Sequence, residues 1–113
     1  MELIAMRYDG RVFAPVDFDG AGAPPTGRYS QRGDLVCAEF SGAHLRAGRL
    51  VGRCGADGRI DAAYCQVMAD GAVVAGRCVS TPTVLPDGRL RLTERWQRND
   101  GSTGISQIEE VWA

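Results

Sequence analysis

The chain contains no lysine; all thirteen cationic side chains are arginine. A lysine Schiff base is therefore excluded, and with it covalent pyridoxal phosphate. The G-x-x-x-x-G-K phosphate loop is excluded for the same reason. Histidine occurs once, at His44, and the four cysteines Cys37, Cys54, Cys65 and Cys78 include no C-x-x-C pair. Structural zinc sites usually draw on such close pairs, so neither a metal nor a cofactor is expected. The thiols are expected to be reduced and to act mostly as small buried apolar groups. A net charge of -1 offers no basic excess to collect phosphates, which argues against nucleic acid as a partner. No apolar run approaches the roughly 20 residues of a membrane-spanning helix, and residues 1–7 lack the basic-then-apolar pattern of a signal peptide. The expectation is a cytoplasmic protein with no membrane partner. An Arg-, Ala- and Gly-rich composition without Lys is also that of a GC-rich bacterial genome.

What is abundant is punctuation. Among the 113 residues are fifteen glycines, and Asp-Gly recurs at Asp9-Gly10, Asp19-Gly20, Asp57-Gly58, Asp70-Gly71, Asp87-Gly88 and Asp100-Gly101. Asp-Gly favours the positive φ angles of tight hairpin turns. Short Val-, Ile-, Leu-, Tyr- and Trp-rich runs lie between these turns, and turns spaced by roughly 8–12 residues point to a β-sandwich or barrel. The spacing predicts strands over 11–16, 28–31, 35–41, 44–54, 60–68, 73–80, 90–97 and 105–111. It predicts loops over 18–26 and 80–86, the latter because proline is expelled from central strands. The reading is a single all-β domain over 1–113, an antiparallel up-and-down barrel of about eight strands.

Alternation assigns faces. In the stretch 89–97, Leu90, Leu92, Glu94 and Trp96 share one face, and Arg89, Arg91, Thr93, Arg95 and Gln97 the other. Three arginines on one face are not buried together, so the even face points inward. By the same logic Val74, Gly76, Cys78 and Ser80 point inward, as do Ile60, Ala62, Tyr64, Gln66 and Met68. In 35–41 and 105–111 both faces are mixed and the inward one stays open.

A barrel of this size is either filled by side chains or holds one small molecule. Its inward list is polar toward one end: Tyr64, Gln66, Cys78, Ser80, Glu94 and Trp96, joined by Tyr29, Gln31 and Glu39 if their faces turn in. Glu94, between Leu92 and Trp96, is the sharpest candidate: desolvation raises a carboxylate's pKa toward neutrality and suits it to acid–base work. Its structural alternative is a core carboxylate paired with an arginine or held by Tyr64. Glu39 is a weaker version of the same case. His44, at a strand start, would shuttle a proton with Glu94 if it faced the mouth; a solvated surface position is the alternative. Tyr64 and Gln66 would orient a carbonyl or amide, Trp96 would anchor the core or stack on a ligand, and Cys78 and Ser80 lack any base placed beside them.

An ordered series also carries a resemblance: Tyr29-x-Gln31, Val36-x-Ala38-Glu39-Phe40-x-Gly42, Gly48-x-Leu50-Val51-Gly52, Gly58-x-Ile60-Asp61-x-x-Tyr64-x-Gln66, Gly76-x-Cys78-x-Ser80-x-Pro82, Leu90-x-Leu92-x-Glu94-x-Trp96 and Glu109-Glu110. Over 29–111 the chain resembles a group of short bacterial proteins commonly labelled "N-acetylglutamate synthase". The resemblance implies a calycin-like barrel, similar to lipocalins and avidins, which bind small molecules inside the barrel. The acetyltransferase activity in the label is not carried over: Arg49-x-x-Gly52-x-Cys54 approaches an acetyl-CoA turn but ends in Cys within a strand pattern. Two functions follow as expectations. One is a small-molecule-binding lumen, extended to cofactor-free isomerisation or cyclisation with Glu94 as acid or base. The other is a non-catalytic interaction module with a filled core, in which strand edges pair two copies into a homodimer.

Overall fold

The structure is a computed structural model that describes residues 7–18, 20 and 22–112. Eight strands follow one another: β1 (Val12–Pro15), β2 (Thr26–Arg32), β3 (Leu35–Gly42), β4 (Leu45–Cys54), β5 (Ile60–Met68), β6 (Val73–Val84), β7 (Leu90–Arg98) and β8 (Thr103–Glu110). Each runs antiparallel to the next, and β1 closes onto β8 through Phe13↔Glu110, Ala14↔Glu109 and Pro15↔Ile108. The result is the closed up-and-down barrel that the turn spacing implies, with no helix among the described residues. Closure gives every strand a partner on both sides, so the edge-to-edge route to a homodimer has no wholly unpaired strand to use among the described residues.

Four of the Asp-Gly turns share one construction, and it differs from the tightest hairpin. Only the glycine takes positive φ: 87° at Gly58, 91° at Gly71, 93° at Gly88 and 91° at Gly101. Each aspartate keeps a negative φ and uses its carboxylate instead. Asp57, Asp70, Asp87 and Asp100 accept the backbone N–H two residues on, from Arg59, Ala72, Arg89 and Ser102, at 2.9–3.0 Å. This is a type I turn closed by a left-handed glycine, in a loop longer than two residues. The turn expected at Asp19-Gly20 and the segment 1–6 lie wholly or partly outside the described residues.

The loop expected over 80–86 begins later than predicted. β6 runs through Pro82 to Val84, with Pro82 opposite Leu92 on β7. The last partner of β6 on the β5 side is Ser80, opposite Ile60. Residues 81–84 therefore overhang β5, and a proline there removes no rung from a doubly paired strand.

One end of the barrel is packed shut. Tyr8, Val36, Ile60, Leu90 and Leu92 are buried there or just above, each side chain of this size contributing about 1.5–3 kcal/mol of apolar burial. The segment before β1 is part of the seal. Tyr8 donates its hydroxyl to the Gly58 carbonyl at 2.5 Å, and its N–H to Gln31 Oε1 at 2.8 Å. Beside it the buried Glu110 accepts from Arg11 Nη1 at 2.7 Å and from the Leu90 N–H at 3.1 Å. Phe13, Tyr29 and Phe40 form an edge-to-face chain up the barrel axis, with centroid separations of 5.0 and 5.9 Å. Above this chain the barrel is open.

Candidate functional site

Register explains the opening. On the inner wall, glycines of β2, β4, β6 and β8 stand directly opposite large side chains of β3, β5 and β7: Gly27↔Phe40, Gly48↔Gln66, Gly76↔Tyr64 and Gly104↔Trp96. The Phe40 and Trp96 rings lie over Gly27 and Gly104, and the Tyr64 hydroxyl reaches over Gly76. A Cβ on Gly27 would sit 2.5 Å from Phe40 Cδ1, one on Gly76 2.8 Å from the Tyr64 hydroxyl, and one on Gly104 2.6 Å from Trp96 Cε2. No side chain fits at Gly27 or Gly104 while the rings stay in place, and at Gly76 the Gln97 carbonyl closes the position as well. Because each ring spreads along the wall rather than across the bore, the centre stays clear.

The clear space is a pocket of about 210 Å³. Phe40, Leu50, Tyr64 and Trp96 form its apolar and aromatic walls, and Arg49, Gln66, Cys78, Glu94, Arg98 and Ser106 its polar residues. The Trp96 indole N–H donates to Ser106 Oγ at 2.9 Å, fixing the ring. An apolar cavity of about 150 Å³ takes benzene, so this one matches a single ring with short substituents.

Glu94 lies at the floor. Its neighbour is Ser80, fully buried, whose hydroxyl donates to Glu94 Oε2 at 3.3 Å. No arginine pairs with it among the described residues; the ion pairs there involve Glu39, Glu109, Glu110 and aspartates. Desolvation with only that one hydroxyl to offset it pushes the Glu94 carboxyl up to about 7. The same burial, reinforced by the Glu94 charge, pushes the Cys78 thiol up to about 12. Cys78 is thus a protonated wall residue and not a nucleophile.

Tyr29 sits just below. It is 1% exposed, and its hydroxyl has no hydrogen-bond partner among the described residues. Burial first, and then the charge of Glu94, hold this phenol well above its ordinary pKa. Higher up, Tyr64 is also raised, chiefly by desolvation and partly offset by a hydrogen bond with the Arg98 guanidinium beside it; it senses Glu94 as well. Arg98 itself stands at the rim and leans over the Trp96 ring, 5.1 Å from the centroid. Register puts Tyr64 and Arg98 on one rung, either side of Gly76, four residues up β7 from Glu94.

Of the residues singled out from sequence, the structure brings Tyr64, Gln66, Cys78, Glu94 and Trp96 to one pocket, with Ser80 and Tyr29 beneath it. Three lie elsewhere. Glu39 points outward: Val36, Ala38 and Phe40 take the inner face of β3, and Glu39 pairs loosely across the outer surface with Arg49 at 3.8 Å. His44 is an exposed residue of the β3–β4 turn, and its role in the fold is the carbonyl that accepts from the Ala69 N–H. Gln31 does turn inward, but at the sealed end, where its amide bridges Tyr8 and the Gly33 carbonyl. The sequence reading missed Arg98, Phe40, Leu50 and Ser106. Arg98 was within reach, one step further along the 90, 92, 94, 96 stripe. Among the described residues no three His, Cys, Asp or Glu side chains gather to hold a metal ion.

The family model described as "Avidin-like protein" matches residues 6–111, nearly the whole chain, and the protein belongs to that family. Comparison with curated proteins gives no match, and comparison with solved structures gives none. The family is one of barrels that typically bind small molecules.

Proposed function

We propose that this avidin-like barrel holds one small organic ligand in its lumen, with Glu94 as the group that bonds the ligand's buried end. One observation carries the reading: a desolvated carboxylate without a cationic partner among the described residues faces a ring-sized pocket. A buried ion that serves only the fold is normally paired and fully hydrogen-bonded; Glu94 has a single hydroxyl, and the Tyr29 hydroxyl below it has no partner there. A ligand that bonds both would satisfy these two buried groups.

Native mass spectrometry of freshly purified protein tests this, supported by titration of single-ring fragments against the emission of Trp96. Trp112 is 57% exposed on the outer surface, so Trp112→Phe leaves Trp96 as the reporter. A co-purified small molecule, or saturable quenching by fragments, is the expected result. The absence of both overturns the reading.

The position of Glu94 also supports a second reading, cofactor-free isomerisation or cyclisation. A carboxyl that titrates near neutrality at the floor of an aromatic-walled pocket is matched to proton transfer at physiological pH. Tyr64 and Gln66 would orient the substrate. With the bound molecule identified, Glu94→Gln abolishes its conversion while leaving the fold intact; unchanged conversion removes the proton-transfer role.

A further inference from the structure

We infer that the lumen selects an amphoteric ligand, a short or single-ring compound that enters amine first and leaves its carboxylate at the rim. The inference rests on the binding reading above and adds the ligand's charge class.

The pocket has a polar axis with opposite ends. Among the described residues the ionisable carboxyl on its wall is Glu94 at the floor, and Arg98 stands above it on the same face of β7; the other arginine of the lining, Arg49, turns its guanidinium to the outer surface toward Glu39. Four residues at about 3.3 Å each put the two Cα atoms about 13 Å apart. The two side chains close much of that distance, because Arg98 bends back over Trp96, 5.1 Å from the ring centroid. Tyr64, on the rung of Arg98 across Gly76, senses both charges. A ligand carrying a cation and an anion at opposite ends of one ring matches this arrangement of charges.

The direction follows from what surrounds the floor. No cation among the described residues reaches Glu94; a carboxylate placed there would meet like charge, while an ammonium would neutralise it. An ammonium also brings three donors and no acceptor. Around the floor are three acceptor groups: the Glu94 carboxylate, the Ser80 hydroxyl already donating to it, and the hydroxyl of Tyr29, 1% exposed and unpartnered among the described residues. The aromatic walls suit the same occupant, since the faces of Phe40, Tyr64 and Trp96 attract cations. At the rim the guanidinium of Arg98 receives the carboxylate in a charge-assisted contact.

The test uses the full chain carrying Trp112→Phe, with four probes of one size: 4-(aminomethyl)benzoate, 4-methylbenzoate, benzylamine and toluene. Binding is read from Trp96 emission and from the shift in melting temperature. The expected result is that 4-(aminomethyl)benzoate binds at least tenfold tighter than 4-methylbenzoate and than benzylamine. Glu94→Gln should erase the advantage over 4-methylbenzoate alone, and Arg98→Gln the advantage over benzylamine alone. The unsubstituted pocket gives an independent reading. The advantage over 4-methylbenzoate should widen as pH rises through 7, where Glu94 ionises. The other titratable groups facing Glu94 do not change there: Tyr29 on β2, Tyr64 on β5 and Cys78 on β6 all keep their protons to far higher pH; the remaining group on that face is the Arg98 guanidinium. The inference is overturned if 4-methylbenzoate binds as well as the amphoteric probe, or if the advantage survives Glu94→Gln. Binding of toluene alone, blocked by Ser106→Phe on the pocket wall, would overturn the charge class and leave the binding reading standing. No binding by any probe would overturn both.

Discussion

Glu94→Gln should make the barrel less sensitive to alkali, and the size of the effect follows from one carboxyl group. In the unfolded chain Glu94 titrates at its ordinary 4.5; in the fold, desolvation holds it at about 7. Below 4.5 both states carry the proton, and the group contributes no difference. Between 4.5 and 7 the unfolded state gives up its proton while the folded state keeps it, so the native state loses stability as pH rises. At about 1.4 kcal/mol per pH unit the interval amounts to about 3 kcal/mol. That is an upper figure, because the pocket is open at its rim and water reaches the carboxylate. It is still a large share of the 5–15 kcal/mol that holds a typical domain together. The substituted amide has no proton to lose over this range, so the variant should gain on the wild type by about 3 kcal/mol at most between pH 4 and pH 8. Urea denaturation at fixed ionic strength measures this, taking the difference between the two proteins at each pH. The low-titrating turn carboxylates Asp57, Asp87 and Asp100 act in the opposite direction at acid pH, but they are shared by both proteins and cancel. A difference that is flat with pH, or a wild type that gains on the variant as pH rises, would refute the reasoning, because it would mean that Glu94 finds a cation in the fold.

Three other substitutions test the packing around the site. Gly104→Ala places a methyl where Trp96 lies and should swing the indole into the bore, at a cost of about 1–3 kcal/mol; Trp96 emission should shift and fragment binding should fall at least tenfold. Tyr29→Phe removes a buried hydroxyl that has no partner among the described residues, so the urea midpoint should stay level or rise by up to about 1 kcal/mol in stability, and a clear loss would show that the hydroxyl is bonded. Glu110→Ala leaves Arg11 without its buried partner and the Leu90 N–H without an acceptor, and thermal melts should show a loss of about 3 kcal/mol.

The strands and their turns are legible in the sequence because Asp-Gly steps recur at a strand's length and arginines mark the outside of β7. The same contrast places Tyr64, Gln66, Cys78, Glu94 and Trp96 on the inner wall. Where both faces of a strand mix polar and apolar residues, the contrast vanishes. On β3 the outer face holds Leu35 and Cys37 beside Glu39, and only the cross-strand partner Arg49 reveals that Glu39 belongs to solvent. Gln31 belongs to the sealed end because its partner is Tyr8, and Tyr8 comes from a segment with no strand pattern of its own. Pro82 looks like a strand breaker until the overhang of β6 past β5 is known. These are consequences of register and stagger, which depend on pairs of residues far apart in the chain.

The glycine–ring pairs bear on how such a barrel changes over evolutionary time. Each pair holds one bulky and one minimal residue across a single rung, so exchanging the two conserves volume to first order while moving an aromatic wall from one strand to its neighbour. Such a double exchange at Gly104 and Trp96, or at Gly27 and Phe40, would reshape the cavity without adding to or emptying the wall. Each single step is penalised, one by collision and the other by a void. Related barrels should therefore differ at these rungs in coupled fashion, and the recognised molecule should switch in jumps rather than by gradual enlargement of one pocket.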